Sequence, residues 1–201
     1  MKRKALIIVD VQNDFCPGGT LAVPNGDQVV APINKMIEHA HKNGWKIVAS
    51  RDWHPSETKH FKDFGGLWPV HCVKHTDGAK FHPSLKIVGE PEVHFVSKGM
   101  DTKDDGGYSA FDPKAEAACG RALEHVLDKY NVEEIYVCGL ATDWCVKETA
   151  LDGIKEGLKV NLLLDACRAV NIDPHDEDRA IDEMKNAGVN VMTTEKVLTE
   201  N

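Results

Sequence analysis

Lys4-Ala5-Leu6-Ile7-Ile8-Val9-Asp10 is an unbroken apolar run held between a lysine and an aspartate. Alternating polarity would bury one face of a strand, whereas a continuous run predicts a strand buried on both faces, as in a parallel sheet with helices on each side. Outward from it, the chain keeps a regular beat. A helix is expected from about Asp27 to Asn43, where Val30, Ile33, Ile37 and Ala40 fall at helical spacing and Gly44 follows as a stop. Trp45 to Ser50 reads as a second strand, Glu92 to Ser97 as a third, Glu134 to Gly139 as a fourth, Lys159 to Asp165 as a fifth and Val189 to Thr193 as the last. Helices are predicted from about Pro113 to Tyr130 after a Gly106-Gly107 loop, from Thr142 to Glu156, and from Asp173 or Pro174 to Asn186. This alternation predicts an α/β fold, a three-layer α/β/α sandwich around a mostly parallel, doubly wound sheet. No repeat, low-complexity tract or linker breaks it, so one domain is expected over residues 1–201. The exception to the beat is a segment at about 52–91, with Gly65-Gly66, several prolines and many aromatics but no period. It is longer than an ordinary connection and is expected to be a functional excursion.

With 201 residues and 42% apolar content, the chain can build one sizeable core without staples. Its formal charge of -8 speaks against nucleic acid or an anionic membrane as partner, because both reward clustered Lys and Arg. The apolar runs are too short to span a bilayer and no signal segment opens the chain, so a cytoplasmic protein acting on a small molecule is expected. Six cysteines without close pairs argue against a disulfide framework and against a four-thiolate zinc cage. No heptad seam or other interface pattern fixes the oligomeric state, and a homo-oligomer stays open.

In open parallel sheets, ligands bind outside the carboxyl ends of the strands, near the switch in strand order. Asp10 follows the first predicted strand, Asp52 and His54 the second and Lys98 the third, while Gly139 to Cys145 joins the fourth to its helix. Cys145 falls in the first turn of a predicted helix, where unpaired N–H groups and the helix dipole favour a thiolate. A thiol nucleophile needs a base such as Asp10 and a cation such as Lys98. Singly, the three read as a buried small residue, a turn cap and a solvated lysine; together on one edge they read as a catalytic triad. Asp52, His54, His60 and His71 form a second constellation, one carboxylate and three imidazoles, that suits Zn(II), Fe(II) or Mn(II). His41, His75, His82, His94 and His125 read as solvated, and His175 as an exposed helix-start residue.

Four motifs in order complete the picture: Ile8-Val9-Asp10-Val11-Gln12-Asn13-Asp14-Phe15-Cys16-Pro17-Gly18-Gly19, Asp52-Trp53-His54-Pro55, Trp68-Pro69-Val70-His71-Cys72 and Gly139-Leu140-Ala141-Thr142-Asp143-Trp144-Cys145-Val146. Nearly end to end, the chain resembles the nicotinamidase/pyrazinamidase family within the isochorismatase-like cysteine hydrolases. The resemblance implies Asp10, Lys98 and Cys145 as the triad, and Asp52, His54, His60 and His71 as ligands of one divalent metal. It also implies a cis peptide at Leu140-Ala141. The activity expected from it is hydrolysis of nicotinamide to nicotinate and ammonia through a Cys145 thioester, in NAD salvage, with pyrazinamide also accepted. In that mechanism the ring nitrogen would sit at the metal, with Phe15, Trp68, Tyr108 and Leu140 around the ring. Backbone N–H groups of Ala141 and Cys145 would hold the oxyanion. Trp144 departs from the smaller or polar residues that also occur before the family nucleophile. Cys16 and Cys72 lie in the motif loops, either open to oxidation or simply buried. Two other readings use the same residues: a metallohydrolase with Cys145 structural, and a binding module without turnover.

Overall fold

The opening apolar run forms β1 (Lys4–Val9), with Ala5 through Val9 wholly buried. Leu6, Ile7, Ile8 and Val9 each contribute about 1.5–3 kcal/mol by leaving water, which explains why this strand occupies the middle of the sheet. The computed structural model describes residues 3–87, 92–103, 107–117 and 123–199. A 3-10 turn at Gly26–Val29 leads into α1 (Val30–Lys42), whose Val30, Ile33, Met36, Ile37 and Ala40 face the core at the expected spacing. Then follow β2 (Lys46–Asp52), β3 (Val93–Lys98), β4 (Glu116–Ala117), α2 (Leu123–Lys129) and β5 (Glu134–Leu140). A π-helical turn, Thr142–Val146, runs into α3 (Lys147–Lys155), followed by β6 (Lys159–Arg168), α4 (Asp176–Ala187), β7 (Asn190–Met192) and α5 (Thr194–Thr199).

The strand order is β4-β3-β2-β1-β5-β6-β7, all parallel except β4, which pairs antiparallel with β3 at the edge. From β1 the chain winds outward through β2 to β3, then returns to the other side of β1 with β5 and winds outward again. The switch point therefore lies between β1 and β5. Helices α1 and α5 pack together against the sheet, as do α3 and α4, giving the expected three-layer α/β/α arrangement. Gly139 sits at the switch with φ of +117°, where a side chain would overlap the Val9 backbone. Glycine there lets β5 approach β1 closely, and on its other side β5 shifts register against β6 between Val137 and Gly139.

Two expectations change in detail. The helix predicted from Pro113 is replaced at its start by β4, where two residues add to the edge of β3, and helix is seen only from Leu123. Pairing at a sheet edge outweighs the helical propensity of an alanine-rich stretch, since propensity differences are only tenths of a kcal/mol per residue. Gly106, Cys119 and the rest of 118–122 lie outside the described residues, as does the end of the excursion at 88–91. The short final helix α5 had no predicted counterpart.

Candidate active site

Two buried clusters share one cavity at the carboxyl ends of the strands. In the first, Lys98 is wholly buried, and its Nζ donates to Cys145 Sγ at 3.3 Å and to Asp52 Oδ1 at 2.5 Å. Asp10 Oδ2 lies 2.8 Å from the same nitrogen, and beyond Lys98 that oxygen has no hydrogen-bond partner. The short distance makes it an ion pair, with a lone pair still to offer. The other carboxylate oxygen of Asp10 accepts from Ser50 Oγ at 2.7 Å. Strand register brings these groups together: Val9 lies beside Ser50 and Gly139, and Asp52 beside Lys98, so β1, β2, β3 and β5 end side by side. Asp10 takes φ of 48°, a left-handed backbone that costs a non-glycine residue energy and is typical of functional positions.

Electrostatics agrees with the need for a base. Burial pushes the Cys145 thiol well above its ordinary value; Lys98 opposes the rise, and Asp10 and Asp52 add to it. The helix start does not by itself deliver a resting thiolate, because Cys145 is desolvated and faces two carboxylates. Burial also pushes Asp10 up to about 6, against the pull of Lys98, which leaves a carboxylate base poised near neutrality. Although burial disfavours the ammonium, Asp10, Asp52 and Cys145 together hold Lys98 well above the usual lysine range.

The second cluster consists of His54, His60 and His71, all buried, with one ring nitrogen of each within 4.8 Å of the others. Asp52 Oδ2 lies 3.6 Å from His54 Nε2 and 3.9 Å from His71 Nε2. His54 Nδ1 donates to the carbonyl of Gly99 at 2.8 Å and His71 Nδ1 to that of Pro69 at 2.7 Å. Since carbonyls only accept, each ring carries a proton on Nδ1 and turns Nε2, the nitrogen a metal would take in the neutral tautomer, to the cluster. Burial pushes His71 down to about 4, opposed by Asp52, so it is neutral near pH 7. His54 Nε2 is a buried nitrogen with no hydrogen-bond partner. An orphaned lone pair beside two further imidazoles and a carboxylate fits a divalent cation. Asp52 is held well below the usual range: burial opposes ionisation, but Lys98 and then His54 and His71 outweigh it.

Phe15, Trp68, Tyr108, Leu140, Ala141 and Cys145 all line the shared cavity, with His60, His71 and Asp52 on its metal-facing side. The space enclosed by these side chains, counting the part open to solvent, is about 340 Å³. Trp68 Nε1 donates to the Tyr108 hydroxyl at 3.0 Å. Trp144 completes an aromatic wall, 4.8 Å from Trp68 and 5.3 Å from Tyr108 between ring centres. The peptide between Leu140 and Ala141 is cis.

Several supporting residues were not singled out from the sequence. Gln12 clamps the Asp52 backbone, accepting from its N–H at 2.7 Å and donating to its C=O at 2.8 Å. Asp14 accepts from the N–H of Cys72 at 2.7 Å and of Thr20 at 3.3 Å, tying the loop that carries His71 to the loop after β1. Gly99 has φ of +66°, and a side chain there would overlap the His54 ring. Gln12 and Asp14 lie in the motif after β1, and their signal was a buried polar residue beside the candidate base. Cys16 and Cys72 are buried free thiols, burial pushing Cys16 up to about 11 and Cys72 well above the usual range. His41, His75, His125 and His175 are exposed, and His82 and His94 half-buried.

Comparison with known proteins agrees with this geometry. The chain is 39% identical over 208 residues to the nicotinamidase of Escherichia coli strain K12, covering 96% of each. The pyrazinamidase of Pyrococcus horikoshii in complex with zinc matches with a TM-score of 0.84 and 40% identity, covering 95% of this chain and 99% of that one. PnC1 from L. infantum in complex with nicotinate matches with a TM-score of 0.82 and 34% identity, over 96% of this chain and 94% of that one. The family model described as the isochorismatase domain matches residues 4–196. That span runs from β1 into α5 and takes in both clusters, and this chain belongs to the isochorismatase family, among its nicotinamidase and pyrazinamidase members.

Proposed function

We propose that this protein hydrolyses nicotinamide to nicotinate and ammonia, a step of NAD salvage, with Cys145 as nucleophile and pyrazinamide as a second substrate. The observation that carries it is the union of a thiol, a carboxylate and an ammonium in one buried cluster, opening on the same small aromatic cavity as three convergent histidines.

Asp52, His54, His60 and His71 would hold one divalent ion, of zinc, iron or manganese, whose Lewis acidity when bound there offers the pyridine nitrogen a site and fixes the ring's orientation. Phe15, Trp68, Tyr108 and Leu140 pack the ring and exclude water. Asp10, through the Oδ2 that pairs with Lys98 and has a lone pair to spare, takes the Cys145 proton; the sulfur then attacks the carboxamide carbon and the C=O pair moves to oxygen. Backbone N–H groups of Ala141 and Cys145 stabilise that oxyanion. As it collapses, the C–N bond breaks and Asp10 returns the proton to the departing nitrogen, so ammonia leaves and a thioester remains. Water, deprotonated by Asp10, attacks the thioester; nicotinate leaves and the sulfur regains a proton. Lys98 keeps its charge throughout, supporting the thiolate and keeping Asp52 ionised while Asp10 exchanges its proton.

No helix among the described residues is long and apolar enough to cross a membrane. Ammonia release from nicotinamide and from benzamide, measured on metal-loaded protein, tests the assignment. Turnover of nicotinamide with much slower turnover of benzamide, which lacks the ring nitrogen, is expected; no release from nicotinamide overturns it.

A further inference from the structure

Lys98 Nζ sits inside a shell of donors that a metal ion would accept. Asp10 Oδ2, Asp52 Oδ1 and Cys145 Sγ lie 2.8, 2.5 and 3.3 Å from it, on four side chains that are all buried. One donor atom from each of Asp10, Asp52 and Cys145 falls within 4.8 Å of the others, and the space among them is filled by the ammonium. Asp52 faces two ways. Its Oδ1 meets Lys98 while its Oδ2 turns to His54 and His71, as a carboxylate does when it bridges the paired ions of a two-metal site. Asp10 Oδ2, buried and without a hydrogen-bond partner, points its charge into the same position.

We propose that the Lys98 ammonium fills the second position of a latent two-metal centre, and that removing it lets a second thiophilic divalent ion bind between Asp10, Asp52 and Cys145. The inference rests on the assignment of Asp52, His54, His60 and His71 as the first metal site. Metal–donor bonds of about 2.0–2.3 Å are shorter than the ammonium contacts, so the three donors draw in by roughly half to one ångström. Binding breaks the Cys145 S–H bond, forms a metal–sulfur bond and releases the proton to solvent, with no change of oxidation state. In the intact protein, displacing a tethered cation from two buried carboxylates is costly. Lys98 thereby keeps metal ions off the nucleophile, whose soft sulfur would otherwise compete for them.

Cobalt(II) alone, added to the metal-free full chain, tests this by two readouts: ions bound per chain, and the near-ultraviolet thiolate-to-cobalt charge-transfer band. Wild type is expected to bind one ion without the band. Lys98→Ala binds two and shows it, Lys98→Arg keeps the charge and behaves as wild type, and adding Cys145→Ser to Lys98→Ala removes the band. A single ion in folded Lys98→Ala, two in Lys98→Arg, or a charge-transfer band in wild type overturns the proposal. Should Lys98→Ala fold only with cobalt present, two ions and the band are still required; failure to fold even then counts against it, because no ion has replaced the ammonium. Wild type that binds no ion contradicts the histidine site itself, whereas one ion in wild type and no second in Lys98→Ala contradicts only the present inference.

Discussion

The nucleophile side of the cavity stands on the sheet, and the metal side hangs largely from a loop. Asp10, Asp52 and Lys98 lie at the ends of adjacent parallel strands, placed by backbone register, and Cys145 sits in the turn after β5. His60 and His71 instead lie in the long segment between β2 and β3, which contains one 3-10 turn and isolated bridges among its described residues. That loop keeps its shape through side chains reaching in from elsewhere. Gln12 holds Asp52, Asp14 holds the Cys72 N–H beside His71, and the Gly99 carbonyl fixes His54. The chemical groups on the sheet are positioned before any ligand arrives, while those on the loop depend on a few polar contacts around them.

The contrast can be broken most forcefully on the sheet side. Cys145→Ala, at metal content matched to wild type, should lose at least about a thousandfold in kcat for ammonia release from nicotinamide; retained activity would move the chemistry to the metal and make the thiol structural. A smaller effect is expected on the loop side from Gln12→Ala. Removing the clamp on Asp52 should weaken metal binding by about 10- to 100-fold, read by titration with zinc, and turnover at saturating zinc should recover much of the wild-type rate. Unchanged zinc affinity would show that β2 alone positions Asp52. The smallest effect belongs to Tyr108→Phe. It deletes the hydrogen bond from Trp68, worth about 1 kcal/mol, and should raise KM for nicotinamide modestly while kcat stays near wild type. A large fall in kcat would mean that the aromatic wall also positions the reacting amide.

How legible each region was follows the same division. Strand ends could be read: the apolar run Ile7-Ile8-Val9 stops at Asp10, and the strand expected from Glu92 to Ser97 brings Lys98 to the end of β3. Convergence of Asp10, Lys98 and Cys145 then followed from topology. The metal ligands were readable by residue type and motif but not by period, since a loop has none. What escaped was second-layer and relational. Gln12 and Asp14 look like ordinary loop residues until the partners they satisfy, separated from them by 40 and 58 positions, are in view. The double duty of Asp52, paired with Lys98 on one side and facing imidazoles on the other, depends on register across β2 and β3. Sequence shows the helix start beside Cys145 but not the burial and the carboxylates around the sulfur, which make its need for a base greater. The predicted start of the second helix failed because edge pairing with β3 is non-local.

The central claim is that catalysis passes through a covalent bond to Cys145 rather than by direct attack of water on the amide. Acid quenching of the metal-loaded enzyme during turnover of nicotinamide, followed by mass analysis of the peptide that contains Cys145, tests it most directly. A nicotinoyl group on Cys145, released by hydroxylamine, is predicted. Unmodified Cys145 in quenched wild type, together with continued turnover by Cys145→Ala, would contradict it.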